Sequence, residues 1–179
     1  LEKEIKLNIE VNHATLSGHN FEHEIAYAIA NDSLGSIDIN RGDLMLGWDT
    51  DQFPNNPADL ILAFYHIFSN GGFKKGGFNF DAKIRRQSID PEDLFYAHIG
   101  AMDVCAKTLI ATEKMINDDK ITKYINNRYS KWNESLGNMI HNKETTLENI
   151  TAFVDKNNIN PDPLSGQQEF LENILNKYL

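Results

Sequence analysis

Cysteine is nearly absent from this chain. Cys105 is the only one, so no disulfide can close within it, and the usage suits a reducing compartment such as the cytoplasm. Basic residues are also short: 17 Lys and Arg face 26 Asp and Glu, for a net charge of −9. That balance argues against a nucleic-acid backbone as partner. No apolar run reads as long enough to span a membrane, and no signal-peptide pattern is visible. Internal repeats and low-complexity tracts are missing. Gly71-Gly72 and Gly76-Gly77 lack the strand-to-helix spacing and the basic residue of a phosphate-cradling loop. An initiator methionine is missing too. The chain opens Leu1-Glu2-Lys3 and reaches an apolar run almost at once, as expected of a segment excised from a longer protein.

What is present is ordinary globular composition, 41% hydrophobic and 24% charged over 179 residues, enough for one domain with its own core. Residues 5–9 alternate with period two and read as a strand. Residues 21–31 read as a helix with Ile25, Ala28 and Ile29 on one face. A second strand is expected over 35–39. Asn56-Pro57 then opens a helix, the proline suiting its first position, with Leu60, Ile61, Phe64, Ile67 and Phe68 as its apolar stripe and Gly71-Gly72 as its end. A third strand is expected over 77–80. Asp90-Pro91 caps a long helix carrying Leu94, Phe95, Ile99, Met102 and Ala106. Cys105 lies in that apolar stretch and reads as a buried structural thiol. Three alternating strand and helix units predict α/β architecture with a parallel sheet. They fit either part of an eight-stranded barrel or a small doubly wound sheet. From about residue 117 the pattern turns helical, over 121–132, 147–155 and 167–178, with a break at Asn157 to Pro163. Such a tail buries little of itself, so it should wrap a neighbouring subunit or the rest of the fold.

The chemistry falls at the strand ends. Glu10 ends the first strand and His13 follows in the turn; Asp38 ends the second and Asp81 the third. In parallel α/β folds the C-terminal strand ends are where sites form. Carboxylates converging there repel one another unless a cation intervenes. Trp48-Asp49-Thr50-Asp51 adds two aspartates that can face one ion. Oxygen donors with one imidazole select magnesium, manganese or cobalt over a thiolate-rich zinc site. Each element has a plainer reading. A strand-end Asp also caps a following helix or bonds turn amides. A lone D-x-D is commonly a solvated turn, and His13 alone reads as a hydrogen-bonded structural residue. His19 and His23 form an i, i+4 pair, but without the Glu of a zinc-protease motif they read as a solvated helix start. Trp48 is expected in the core rather than as a sugar-stacking platform. The joint occurrence of acids at equivalent strand ends is what favours a metal site.

The segment Lys6-Leu7-Asn8-Ile9-Glu10-Val11-Asn12-His13-Ala14-Thr15-Leu16 resembles a K-L-N-I-E-A-N-H-A-T-L segment of the xylose isomerase family. Gly47 to Pro54, Gly77 to Lys83 with Arg85 to Ser88, Asp90 to Tyr96, and His98 to Asp103 continue the likeness, as do Tyr129 to Asn133 and Ser165 to Glu169. Val11, Ser17 and Ile39 depart from the family pattern near the site.

The resemblance implies a partial (β/α)8 TIM barrel, its last three β/α units over 1–116, and a C-terminal helical arm over 117–179 for subunit contacts in a homotetramer. It implies an enzyme interconverting D-xylose and D-xylulose, and also D-glucose and D-fructose, in the cytoplasm. Two divalent cations per subunit, Mg2+, Mn2+ or Co2+, are expected. Glu10 would bridge them, Asp38 and Asp81 would hold the first, and His13, Asp49 and Asp51 the second. Glu10, Asp38 and Asp81 would also contact the sugar, and Asp51 would partner the moving proton. The family's remaining glutamate ligand, its lysine near the hydride and its ring-opening histidine have no match here, so the chain alone should be inactive. The alternatives are an interaction fragment that needs its other half, and a metal-dependent endonuclease on a similar barrel. The acidic balance speaks against the nuclease, although Lys74, Lys75, Lys83, Arg85 and Arg86 cluster.

Overall fold

Three short strands lie side by side in the computed structural model, which describes residues 4–179. Leu1-Glu2-Lys3, on which the expectation of an excised start partly rests, lies outside the described residues. The strands are β1 (Leu7–Glu10), β2 (Leu34–Asp38) and β3 (Phe78–Asn79), all parallel and in the order β1-β2-β3. A parallel pair needs a crossover. Helix α1 (Val11–Leu16) with α2 (Phe21–Ala30) supplies the first, and α3 (Ile61–Ser69) supplies the second. The chain is therefore α/β, mostly helical, around a small parallel sheet.

The chain divides into two compact units, residues 1–117 with 178–179, and residues 118–177. In the first, Val11, Phe21, Ile25, Ile37, Ile39, Leu60, Phe64 and Ile67 form a contiguous core with Val104 and Cys105 of α4 (Pro91–Asp118). The stripe expected on α3 is there. Leu60, Ile61, Phe64 and Ile67 are buried, and Phe64 stacks on Phe78 of β3 with ring centroids 4.7 Å apart.

Helix α4 differs from expectation. Leu94, Phe95, Ile99, Met102 and Ala106 all face outward, and the buried line is Ala101, Val104, Cys105, Thr108, Ala111, Thr112 and Met115. Both lines have helical spacing. The second consists mainly of small side chains and joins the core through Val104 and Cys105, while the bulky residues stay outside. By length and composition α4 is also apolar enough to cross a membrane. The sequence reading missed this because Asp103 and Lys107 interrupt the run, yet one of its faces is packed in this unit's core.

Smaller differences bear on the site. His13 lies in the helix α1, not in a turn. The helix expected at Pro57 opens as a 3-10 turn (Pro57–Asp59) capped by the Asn56 side chain, before α3 begins. Asp81 lies two residues beyond β3 rather than at its end.

The second unit contains α5 (Lys120–Arg128), a 3-10 turn (Ser130–Asn133), α6 (Ser135–His141), α7 (Leu147–Lys156) and α8 (Gln168–Asn176). The helix expected over 121–132 is thus broken after Arg128, and α6 was not foreseen. Within the unit, Tyr124 donates to the Gly166 carbonyl at 2.7 Å and Arg128 to the Ser165 carbonyl at 2.9 Å. Thr146 caps α7 by accepting from the Asn149 N–H.

Candidate metal centre

Register creates the site. Glu10 of β1 and Asp38 of β2 are paired across the ladder, and Asp38 is in turn paired with Asn79 of β3. A parallel sheet in register brings the same end of every strand to one edge, so acids spaced far apart in sequence become neighbours. One carboxylate oxygen each from Glu10, Asp38 and Asp81 lies within 4.8 Å of the others. Glu10 and Asp38 are buried, whereas Asp81 is exposed. Burial pushes the Glu10 carboxyl above its ordinary range. The Asn40 hydrogen bond and His13 counter this, and Asp49 and Asp81 reinforce it.

A second group shares Glu10. His13 Nδ1 lies 3.2 Å from Glu10 Oε2, and His13 Nε2 lies 2.9 Å from Asp49 Oδ2. Ligand atoms of Glu10, His13 and Asp49 again fall within 4.8 Å of one another. His13 reaches this place because α1 starts directly at the end of β1 and turns its third residue back toward Glu10. At Asp49 burial raises the carboxyl, but hydrogen bonds with Asp51, Asn12 and His13 outweigh it and hold the group below the usual range.

The six predicted residues are thus unequally placed. Five of them, Glu10, His13, Asp38, Asp49 and Asp81, fall into the two overlapping groups. Asp51 stands in neither. It has a left-handed backbone, with φ of 41°, and its Oδ2 accepts from Lys83 Nζ at 2.5 Å. That carboxylate holds the Lys83 ammonium above the ordinary lysine range. Arg85 also donates to the Asp51 carbonyl, at 3.0 Å. Part of the basic cluster is therefore engaged at Asp51, and Lys74 pairs with Asp32 at 3.2 Å. Trp48, expected in the core, is 60% exposed. Cys105 is buried as expected, and burial pushes its thiol up to about 11, which keeps it protonated and unreactive at neutral pH.

Sequence reading missed the asparagines that hold the acids. Asn40, 1% exposed, accepts from the Asn12 N–H at 3.0 Å and donates to Glu10 Oε1 at 2.6 Å and to the Asp81 carbonyl at 2.9 Å. It ties all three strand ends together. Asp38 accepts from Asn8 at 2.6 Å and from Asn79 at 2.9 Å, one on each oxygen. Asn12 donates to Asp49. The available signal was position: each asparagine lies within two residues of a strand-end acid.

This donor set suits hard divalent cations. Carboxylate oxygens with a single imidazole match magnesium or manganese rather than thiolate-seeking ions. Crowding of like charge is relieved by a cation, which fits a site built for positive charge.

Fold and site together define an α/β segment with a carboxylate-rich cluster at parallel strand ends that could hold a cation. Comparison with known proteins narrows this. Over all 179 residues the chain is 58% identical to xylose isomerase of Haemophilus influenzae (strain PittEE). It is 57% identical to that of Histophilus somni (strain 2336) and 53% identical to that of Agrobacterium fabrum (strain C58 / ATCC 33970). Residues 125–179 match the family described as the XylA2 C-terminal domain. The chain matches the C-terminal part of xylose isomerase, a sugar isomerase, and it spans 41% of the length of each of these relatives.

Proposed function

We propose that this chain is the C-terminal part of a two-metal isomerase that interconverts D-xylose and D-xylulose, and also D-glucose and D-fructose. The observation that carries the proposal is that Glu10 belongs to both ligand groups, as a carboxylate bridging two cations must. Glu10, Asp38 and Asp81 hold the first ion and line the sugar's approach; His13, Asp49 and Asp51 hold the second. Magnesium, manganese or cobalt fits these donors. Strands β1, β2 and β3 are the sixth, seventh and eighth of a (β/α)8 barrel. In support, they are parallel and consecutive in the sheet, and a helix follows each. The helical second unit serves contacts in a cytoplasmic homotetramer.

The reaction is internally balanced. The hydrogen on C2 of the open aldose moves with its electron pair to C1, and the proton on O2 ends on O1, so no external oxidant or reductant is needed. Bound cations supply Lewis-acid stabilisation of the negative charge on those oxygens. Asp51 takes and returns the O2 proton. Lys83, 2.5 Å from Asp51 Oδ2, orients that carboxylate. Asn40 holds Glu10 through Oε1 and the Asp81 backbone through its carbonyl, while Glu10 Oε2 faces His13.

The test is ketose formation from D-xylose by the intact polypeptide that carries this chain, with magnesium or manganese and a chelator control. We expect chelator-sensitive xylulose formation, and at least about a hundredfold loss of kcat in Asp51→Asn. Two bound metals without turnover would mean that the substrate assignment is wrong. Full turnover in a metal-replete Asp51→Asn variant would remove Asp51 from the proton's path.

A further inference from the structure

One cluster lies apart from the strand-end acids. His19 precedes α2, Asn20 is its N-cap, His23 lies in its first turn, and Glu24 follows. The His19 ring nitrogen Nδ1 hydrogen-bonds Glu24 Oε1. The two imidazoles are in edge contact, with centroids 5.1 Å apart and planes at 62°. One ligand atom from each of His19, His23 and Glu24 lies within 4.8 Å of the others. The sequence shows the histidine pair but not the acid, because Glu24 follows His23 instead of lying between the two histidines. Only the turn from the extended Asn20 into α2 folds His19 back over Glu24.

We propose that His19, His23 and Glu24 form a binding site for one imidazole-seeking divalent transition metal of the zinc class, separate from the carboxylate centre. Two imidazoles and a carboxylate are three protein ligands, and solvent supplies the fourth position of a tetrahedral ion. Bonds of about 2.1 Å in that geometry set neighbouring ligand atoms about 3.4 Å apart. To reach this, the hydrogen-bonded His19 Nδ1 and Glu24 Oε1 move apart while the remaining pairs adjust, by side-chain rotation that solvent exposure permits: the His19 and Glu24 side chains are 50% and 30% exposed. The positive end of α2 disfavours a cation, and the acidic first turn, Glu22 and Glu24, offsets it. Donor chemistry separates the two sites. The strand-end groups hold one imidazole among carboxylates and suit hard ions, whereas two imidazoles favour zinc, nickel or copper.

The experiment uses the intact polypeptide with excess Mg2+, which fills the carboxylate groups and competes poorly for imidazoles. Zinc is titrated by calorimetry into wild type, the His19→Asn/His23→Asn double variant, and Glu24→Gln. Wild type should bind one more zinc equivalent than the double variant, and Glu24→Gln should bind that equivalent at least about tenfold more weakly. With Cu2+ in place of zinc, the paramagnetic resonance spectrum should show two coupled nitrogens in wild type and lose them in the double variant. His13 alone can contribute only one nitrogen. Circular dichroism confirms that the variants, altered at solvent-accessible side chains, keep the fold. Equal zinc stoichiometry and affinity in all three proteins, or a copper spectrum with a single nitrogen, would overturn the proposal. None of these readouts depends on isomerase turnover, so failure here and failure of the functional reading are distinguishable.

Discussion

At the scale of single residues, the acids and the groups that hold them stand on different footing. Glu10 and Asp38 are readable from sequence because each ends a strand, and Asp81 because it falls two residues past one. Asn40 is not, because asparagine after a strand is commonplace in turns. Its importance comes from being buried with three partners on three different segments, Asn12, Glu10 and Asp81. Asn40→Ala removes all three hydrogen bonds at once and leaves Glu10 Oε1 and the Asn12 N–H without them. We expect metal affinity of the intact protein to fall about 10–100-fold, as for other groups that orient ligands from behind. Calorimetric titration with Mn2+ checks this, and unchanged affinity would show that Asn40 only fills space. Trp48 errs in the opposite direction. A tryptophan flanked by glycine and aspartate reads as a core anchor, yet its ring stands largely in solvent.

At the scale of elements, the close approach of β2 to the loop before β3 depends on one glycine. Gly76 has a φ of 88°, and a Cβ there would sit 2.5 Å from the Gly35 carbonyl oxygen. Gly76→Ala therefore combines an unfavourable left-handed conformation with a backbone clash. It should destabilise by about 2–4 kcal/mol and disturb the Ile37–Phe78 and Asp38–Asn79 register. Gly77→Ala is the control: nothing lies within 4 Å of a Cβ there, and its φ is not positive. Urea midpoints of the two variants should separate clearly, and equal midpoints would refute the clash. Helix α4 shows why element existence was legible and facing was not. Apolar residues occur along two of its sides, so periodicity found the helix and could not say which side the sheet would take. α6 escaped notice for a different reason. Its seven residues SLGNMIH include a glycine and an asparagine, which depress helix propensity, and the tight packing of Gly137 against Lys131 and Trp132 is what places it.

At the scale of the whole molecule, the exposed apolar side chains are the dominant fact. Leu94, Phe95, Ile99 and Met102 of α4 are each about half exposed or more. Such a contiguous line on a solvent face marks a surface meant to be covered. No strand pairs beyond β1 or β3 among the described residues, so both sheet edges carry open backbone hydrogen-bonding groups. Together with the 41% span of the relatives, this leads us to expect that the 179 residues produced alone self-associate, bind a hydrophobic dye strongly and form no detectable ketose. Light scattering and a xylulose assay check it. A monodisperse, dye-silent preparation with robust turnover would contradict both the partial-barrel proposal and its dependence on residues elsewhere.

By itself the sequence determined the α/β alternation, the helical character of the later part, the apolar stripe of α3 and the acids at strand ends. These are local properties, set by period, turn chemistry and residue type within a few positions. Tertiary structure alone decided which acids meet, that Glu10 is common to two ligand groups, that Asp51 turns to Lys83, and that Glu24 joins the two histidines. Those outcomes depend on register between strands and on where a chain reverses, and both are settled by burial and backbone pairing between segments far apart in sequence.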